Sequence, residues 1–422
     1  MARQDGLWNK VDWLLIGVYF ALIILGWLNI YAVVYDQEQA QNIFSFTLNS
    51  GRQLVFIGGS MVIIIAIMIL DFKFFDSFAY YLYGGILLLL VLVLLFGTEV
   101  AGNKSWFVLG PIRLQPSEFA KFTTALAVAK YFSSRNVRLD RFSDQIKSSL
   151  WVIVPIVLIV MQGDVGTALV FLSFVFVYYR EGLPNFYVIT GVSAAIIFII
   201  TLMIDQVYLL IGLAVITAIL IGLNAKKTKR IILIVAGSIL VAGVILSVDY
   251  TVSNVLKPHQ QNRLKALINP DADPLGYGWN VTQSKIAIGS GGTFGKGFLE
   301  GTQTKFDFVP EQSTDFIFCT IGEEHGWMGS LLLITLFLVL LLRVIQIAER
   351  QKSNFARIYG YAVAGIFFIH FGINIGMTIG LFPVAGIPLP FFSYGGSSLW
   401  SFTILLFVLI KLDAHRMQVL MR

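Results

Sequence analysis

From Trp13 to Val34 the chain carries no charged residue, and runs of the same kind recur along most of its length. A membrane-spanning helix needs roughly 20 mainly apolar residues, and no soluble domain has an interior that could hide run after run of them. The 422 residues are 57% hydrophobic and 13% charged, which leaves room for about a dozen spans. The chain is therefore read as an all-α polytopic membrane protein forming a single domain over 1–422. Arg3 and Lys10 precede the first run as they would in a signal peptide, but that run continues to Val34 without a small-residue cleavage site, so it is read as a retained span.

Spans are expected near 12–34, 53–70, 78–97, 118–132, 148–162, 165–179, 187–204, 207–224, 231–249, 326–345, 356–379 and 399–412. Arg135, Arg138, Arg141 and Lys147 fall in one short connection, Lys226, Lys227, Lys229 and Arg230 in a second, Arg350, Lys352 and Arg357 in a third. With an even number of spans these share one side with Arg416 and Arg422, and the positive-inside rule makes that side, with both termini, cytoplasmic. The net charge of +6 thus reports topology. Its cations cap apolar runs instead of lining one face, so nucleic acid is not an expected partner. The lone Cys319 excludes an internal disulfide framework, and His259, His325, His370 and His415 are scattered without metal-site spacing.

The same assignment places 250–325 outside as one large polar loop, and long polar loops on a rigid scaffold are where chemistry usually sits. Its cluster Gly289, Gly291, Gly292, Gly295, Gly297 with Lys296 superficially suggests a phosphate loop. A Walker A pattern would need Gly at 290 and Ser or Thr at 297, where Ser290 and Gly297 stand. Among the loop carboxylates, Asp273 precedes Pro274, which biases it toward an extended backbone, and Gly276 and Gly278 permit a tight turn behind it. That constraint makes Asp273 the preferred candidate to act on a substrate. Asp271, Glu300 and Asp307 read as solvated. Glu311, Asp315, Glu323 and Glu324 lie beside the next span, where capping or ion pairing is the expected role.

Three further polar clusters share this side or the membrane depth beneath it. Gln115-Pro116-Ser117-Glu118 followed by Lys121 reads as a helix start with Glu118 and Lys121 on one face. Capping plus an intrahelical ion pair is one reading, and an intramembrane functional lysine is the other. Gln162-Gly163-Asp164-Val165-Gly166-Thr167 is either a turn in which Asp164 caps Thr167 or part of a site. From Asn374 through Pro383, Pro388 and Pro390 to Ser393 and Ser398 the apolar sequence is broken by Pro and Gly, which membrane depth tolerates only where it lines a cavity or is buried in protein. Gly372, Gly376 and Gly380 are spaced for a close helix-packing face.

The words NKSWFVLGPIRLQPSEFAK, QGDVGTA, NPDADPLGYGWNVTQSKIAIGSGGTFGKGFLEGTQTKFDFVPEQSTDFIF and NIGMTIGLFPVAGIPLPFFSYGGSS, in this order, resemble the SEDS family of shape, elongation, division and sporulation proteins. The GTQ and FVPE words favour its elongation branch. The resemblance implies a peptidoglycan glycosyltransferase that polymerises lipid II outside the bacterial cytoplasmic membrane, with a class B penicillin-binding protein as transpeptidase partner beside other elongation-complex membrane proteins. It places the family's essential loop aspartate on Asp273, its loop tryptophan on Trp106, and its helix Glu and Lys on Glu118 and Lys121. It also implies a ten-span core, so the three spans read over 187–249 suggest an inserted helical hairpin near 205–230. Ser313 and His370 depart from the usual His and Gln of the family.

Joining a sugar hydroxyl to an anomeric carbon that carries diphosphate needs one base and cationic clamps, not the two carboxylates of a glycosidase. Asp273 is the expected base and inversion the expected outcome. A divalent cation, Mg or Mn, bridging Asp273 and diphosphate is a rival role for the same carboxylate, and no covalently bound cofactor is expected. Lys121, Arg113, Lys285 and Lys296 are candidate diphosphate clamps, and Trp106, Gln115, Ser117, Glu118, Asp164, Asn374 and Ser393 complete the candidate binding set. A lipid II flippase using the broken segment and Lys121, and a non-catalytic scaffold that docks wall enzymes, are the alternatives.

Overall fold

The computed structural model of the chain describes residues 10–35, 42–100, 102–110, 112–133, 137–250, 252, 254, 261–262, 264, 277–305 and 308–418. Asp273 lies outside them. Ten helices among these residues are long and apolar enough to cross a membrane. In the first, α1 (Trp13–Val34), Asp12 caps the start by accepting from the Leu15 amide at 3.2 Å. The other nine are α2 (Asn49–Ile69), α4 (Ala79–Phe96), α6 (Phe142–Met161), α9 (Asn185–Met203), α10 (Gln206–Leu223), α11 (Thr228–Tyr250), α15 (Gly326–Glu349), α16 (Asn354–Thr378) and α17 (Gly396–Ala414). Between them lie α3 (Phe72–Ser77), α5 (Pro116–Ser133), and α7 (Val165–Val170) joined to α8 (Phe174–Arg180) by a single 3-10 turn. The remaining two expected spans, 118–132 and 165–179, fall on α5, which is rich in polar residues, and on the short interrupted α7–α8 run.

Two compact units divide the chain. Residues 1–182 and 282–422 form the first, in which α17 is buried along almost its whole length and packs against α2, α5 and α16. Helix α5 can lie so deep because its buried positions include Ala120, Ala125, Ala127 and Ala129, small residues that let backbones approach closely. Residues 183–281 form the second unit. There α11 packs against α9 and α10, neither of which holds a buried residue; apolar side chains exposed in this way suit lipid as their solvent. The Thr217 and Ser238 hydroxyls, 2.7 Å apart, tie α10 to α11. The hairpin expected near 205–230 maps onto α10, the turn after Leu223 and the start of α11.

A small sheet was not foreseen from the sequence. Strands β1 (Thr98–Val100), β2 (Asn103–Leu109) and β3 (Ile112–Leu114) form a small antiparallel sheet in the order β1-β2-β3, with Trp106 opposite Thr98 and Val108 opposite Arg113. The stretch 250–325, expected as a loop, is helical in much of its described part: α12 (Tyr277–Ser290), α13 (Thr302–Lys305) and α14 (Ile317–Glu324). The glycine spacing in α16 also does something other than pack helices. Gly372 faces open space, Gly376 accommodates the Phe382 ring from the segment that follows, and Gly380 takes a left-handed φ of 77° in the turn.

Of two adjacent buried carboxylates at the end of α14, Glu323 holds 291–305 against that helix. Glu323 is fully buried, accepts from Lys296 Nζ at 2.7 Å, and accepts from the amides of Thr302, Gln303 and Thr304 at 2.8 to 3.0 Å. Burial pushes its pKa up, but the Lys296 ammonium and these amides outweigh burial and leave it below the ordinary value. Glu324 is buried as well, and among the described residues neither of its oxygens completes a hydrogen bond. Burial raises it to about 7, against a smaller downward pull from the nearby Leu299 and Gly301 amides. The two therefore act oppositely on stability. The contribution of Glu323 is present above the ordinary carboxylate range and is lost as pH falls through its lowered value. Glu324 favours folding most in acid and loses that contribution as pH rises from about 4.3 toward 7. Glu324→Gln is thus expected to raise the thermal midpoint at pH 8 by several degrees, with the gain fading by pH 5, as read from melting curves at both pH values.

Candidate functional site

Pro116 opens α5 with a φ already suited to a first turn, and the helix places Ser117, Glu118 and Lys121 inward, all buried. The Lys121 ammonium donates to Glu118 Oε2 at 2.7 Å and to His370 Nε2 at 2.9 Å, and lies 4.7 Å from the centre of the Phe402 ring. His370, on α16, has its Nδ1 3.1 Å from the Pro388 carbonyl oxygen. A carbonyl only accepts and an ammonium only donates, so the proton sits on Nδ1 and Nε2 is the acceptor. One imidazole thereby links Lys121 to the broken segment. Glutamine at 370 can still present an acceptor to Lys121, whereas His370→Leu leaves an ammonium hydrogen and the Pro388 carbonyl unpaired, at about 1–3 kcal/mol each. His370→Gln is expected to melt close to wild type and His370→Leu well below it, in matched thermal denaturation.

Asp164 combines the two roles considered for it. Its Oδ1 accepts from the Thr167 amide at 3.0 Å, capping α7, while Oδ2 accepts from Gln115 Nε2 at 2.8 Å and Ser117 Oγ at 3.3 Å. Its charge also acts on Lys121. The sheet is anchored at this point, because the Lys104 amide donates to the Gln162 carbonyl at 2.9 Å. Gly166 is required here, since a Cβ would stand 2.0 Å from the Ala385 carbonyl oxygen.

The segment from Gly380 to Gly395 has no regular structure of its own, so side chains complete its backbone bonds. Asn374 Nδ2 donates to the carbonyls of Asp315 and Ile387, both at 2.8 Å. Ser393 Oγ accepts from the Leu389 amide and donates to the Thr314 carbonyl. Phe391 is held at φ 64°, uncommon for a bulky residue, by edge contacts with Tyr19, Phe367 and Phe402. Asn374 and Ser393 therefore hold this segment and the 314–315 backbone in place.

Gln115, Ser117, Glu118, Lys121 and Asp164 come together in one buried cluster. Trp106 is half-buried on β2, Arg113 is exposed on β3 next to Gln115, and Lys285 is exposed on α12. The Lys296 ammonium is already engaged by Glu323 and by Thr302 Oγ1 at 2.7 Å, so it serves the local fold. Among the described residues no three His, Cys, Asp or Glu side chains converge as metal ligands; the Asp273 position lies outside that set. Cys319 is buried, and burial pushes its thiol up to about 12, which disfavours the thiolate that a nucleophile needs.

His370 and three residues of α17 were not among the candidates. Ser397 Oγ accepts from the Gln115 amide and donates to the Arg113 carbonyl, Ser401 Oγ donates to the Glu118 carbonyl at 2.6 Å, and Phe402 faces Lys121. The spacing of four between His370 and Asn374 was a usable signal, because it puts both on one face of a helix.

The profile of the FtsW, RodA and SpoVE family, described as cell cycle proteins, matches residues 12–211 and 209–418. The peptidoglycan glycosyltransferase RodA of Treponema pallidum (strain Nichols) is 33% identical over 434 residues, covering 97% of this chain and 99% of that one. The peptidoglycan glycosyltransferase MrdB of Escherichia coli (strain K12) is 33% identical over 415 residues, covering 98% and 97%. A solved chain from work on the structural coordination of polymerization and crosslinking by a peptidoglycan synthase complex superposes with a TM-score of 0.70 at 27% identity, covering 97% of this chain and 99% of that one. The rod shape determining protein RodA of Thermus thermophilus superposes at 0.63 with 26% identity over 97% and 99%.

Proposed function

This chain belongs to the FtsW, RodA and SpoVE family, and from that premise we propose that it polymerises lipid II into glycan strands at the outer face of the bacterial cytoplasmic membrane during cell elongation. It is a multi-pass membrane protein and a peptidoglycan glycosyltransferase. In our reading α5 and the α7–α8 run add two crossings to the ten apolar helices, which keeps the number of spans even, with both termini on the cytoplasmic side and 250–325 outside as the catalytic region. A class B penicillin-binding protein supplies transpeptidation, within a larger assembly of elongation proteins.

The observation that carries the reading is the buried cluster of Glu118, Lys121, His370 and Asp164 under the sheet that bears Trp106 and Arg113. Lipid-linked diphosphate leaves readily once its charge is countered, and fixed charges in a site shielded from water act strongly on developing charge. Arg113 and Lys285, both exposed, are the side chains in reach of solvent for the diphosphate. Lys121 acts from within the buried cluster. Asp273 takes the proton from the acceptor 4-hydroxyl as that oxygen attacks the anomeric carbon and diphosphate departs, giving an inverted linkage. A divalent cation at Asp273 is the competing role for that carboxylate.

The alternative of a lipid II flippase is separated by product. Purified chain with its partner and lipid II, resolved on a gel, should give a ladder of glycan strands. Movement of lipid II between leaflets of a vesicle with no ladder would replace the polymerase with the flippase, and neither product would leave a scaffold.

A further inference from the structure

At the end of the bundle where α1 starts and α15 and α17 finish, a cavity of about 300 Å³ opens to the surface. Lys10, Arg343, Arg350 and Arg416 line it. Among the described residues, Asp12 and Asp413 are the carboxylates paired with these arginines. Asp12 binds Arg343 and Arg350, each at 2.9 Å, and Asp413 binds Arg350 and, at 3.1 Å, Arg416. Four cations thus meet two carboxylates, each already engaged by two arginines. Donors remain: Nη1 of Arg350 and Nη2 of Arg416 carry no hydrogen bond among the described residues.

The rim completes the pattern. Trp13 and Leu14 also line the cavity and are 58% and 51% exposed, at the first turn of a membrane helix. An indole at this level belongs at the headgroup boundary of a bilayer. A basic pocket between transmembrane helices with an apolar lip matches an anionic phosphate that carries acyl chains, because the phosphate takes the spare guanidinium hydrogens while the chains lie along Leu14. Topology accounts for cations at this end, and ion pairing accounts for the two carboxylates, but neither accounts for a cavity into which unused guanidinium donors are gathered beside an apolar lip.

We propose that this pocket binds the headgroup of an anionic phospholipid, clamping the start of α1 and the ends of α15 and α17 to the leaflet around them. The placement of that leaflet on the cytoplasmic side rests on the topology proposed above; the binding itself does not. A soluble phosphate ester shares the headgroup chemistry and differs in lacking the chains that the apolar lip would hold.

The test uses the full chain in detergent and native mass spectrometry with phosphatidylglycerol, with zwitterionic phosphatidylethanolamine, and with glycerol 3-phosphate as a soluble competitor. Each basic residue near an anionic surface is worth roughly fivefold in binding. Lys10→Gln with Arg416→Gln should therefore weaken phosphatidylglycerol retention by about 25-fold. Lys226→Gln with Lys227→Gln, two exposed cations in the turn after α10, should leave it unchanged. Arg350 still holds Asp413 in the first double variant, so the fold survives; Lys10→Gln alone gives the same reading at about fivefold if its melting point drops. Equal loss in both double variants, equal retention of the two lipids, or displacement by glycerol 3-phosphate at lipid-like concentrations would each overturn the proposal.

Discussion

Lys121→Met is expected to abolish strand synthesis and to destabilise the chain together, and the two effects can be pulled apart. Removing the ammonium leaves Glu118 buried beside no cation, and breaking a buried pair from one side costs about 3–5 kcal/mol. That is a large share of the 5–15 kcal/mol by which a typical domain is stable. Loss of product from the single variant would therefore say little about chemistry. Glu118→Gln made in the same chain removes the stranded charge and leaves an amide of the same shape, so the double variant should regain most of the lost melting temperature. Strand synthesis should nonetheless stay at least about 100-fold below wild type, the scale of losing one preorganised electrostatic contact in a transition state. Recovery of synthesis along with folding would assign Glu118 and Lys121 to structure alone.

The membrane helices were legible because a bilayer demands the same thing of each: a long apolar run whose amides bond internally. Expected and observed limits of the first agree, 12–34 against Trp13–Val34. Where limits differ, the helix continues into polar sequence that hydropathy cannot see. Helix α2 starts at Asn49 instead of 53, and α6 at Phe142 instead of 148. The sheet was missed because its outer strands span three residues each and its middle strand carries Lys104 and Ser105 within a stretch read as a loop. In the site, Glu118, Lys121 and Asp164 announced themselves as charges within or beside apolar sequence. Their partners did not. His370 Nε2 and the Ser401 hydroxyl reach α5 from 249 and 283 residues away along the chain, and no local pattern encodes such separations. The partner of Lys296 was hidden for the same reason: Glu323, which engages it, lies 27 residues further on. For Asp273, which lies outside the described residues, the backbone constraint of Pro274 and the motif words point to the same carboxylate of its region.

Asp273 carries the largest single effect expected of any residue in the chain. A positioned general base is worth roughly 10²–10⁴ in rate, and a carboxylate that instead holds a divalent ion against the diphosphate is comparably indispensable. Asn keeps the size and one acceptor oxygen while removing the charge and the basicity, so Asp273→Asn isolates the chemistry from the fold. Omitting or chelating divalent cations from the wild-type reaction then sorts the two roles, since a pure base keeps its rate and a metal-binding carboxylate loses it. The decisive measurement is the initial rate of glycan-strand formation from lipid II by purified chain plus its class B partner, wild type against Asp273→Asn, at equal protein and equal melting temperature. The expected result is a ladder from wild type and a rate at least 100-fold lower from the variant. A ladder formed at the wild-type rate by Asp273→Asn would contradict both roles and move the chemistry away from this carboxylate.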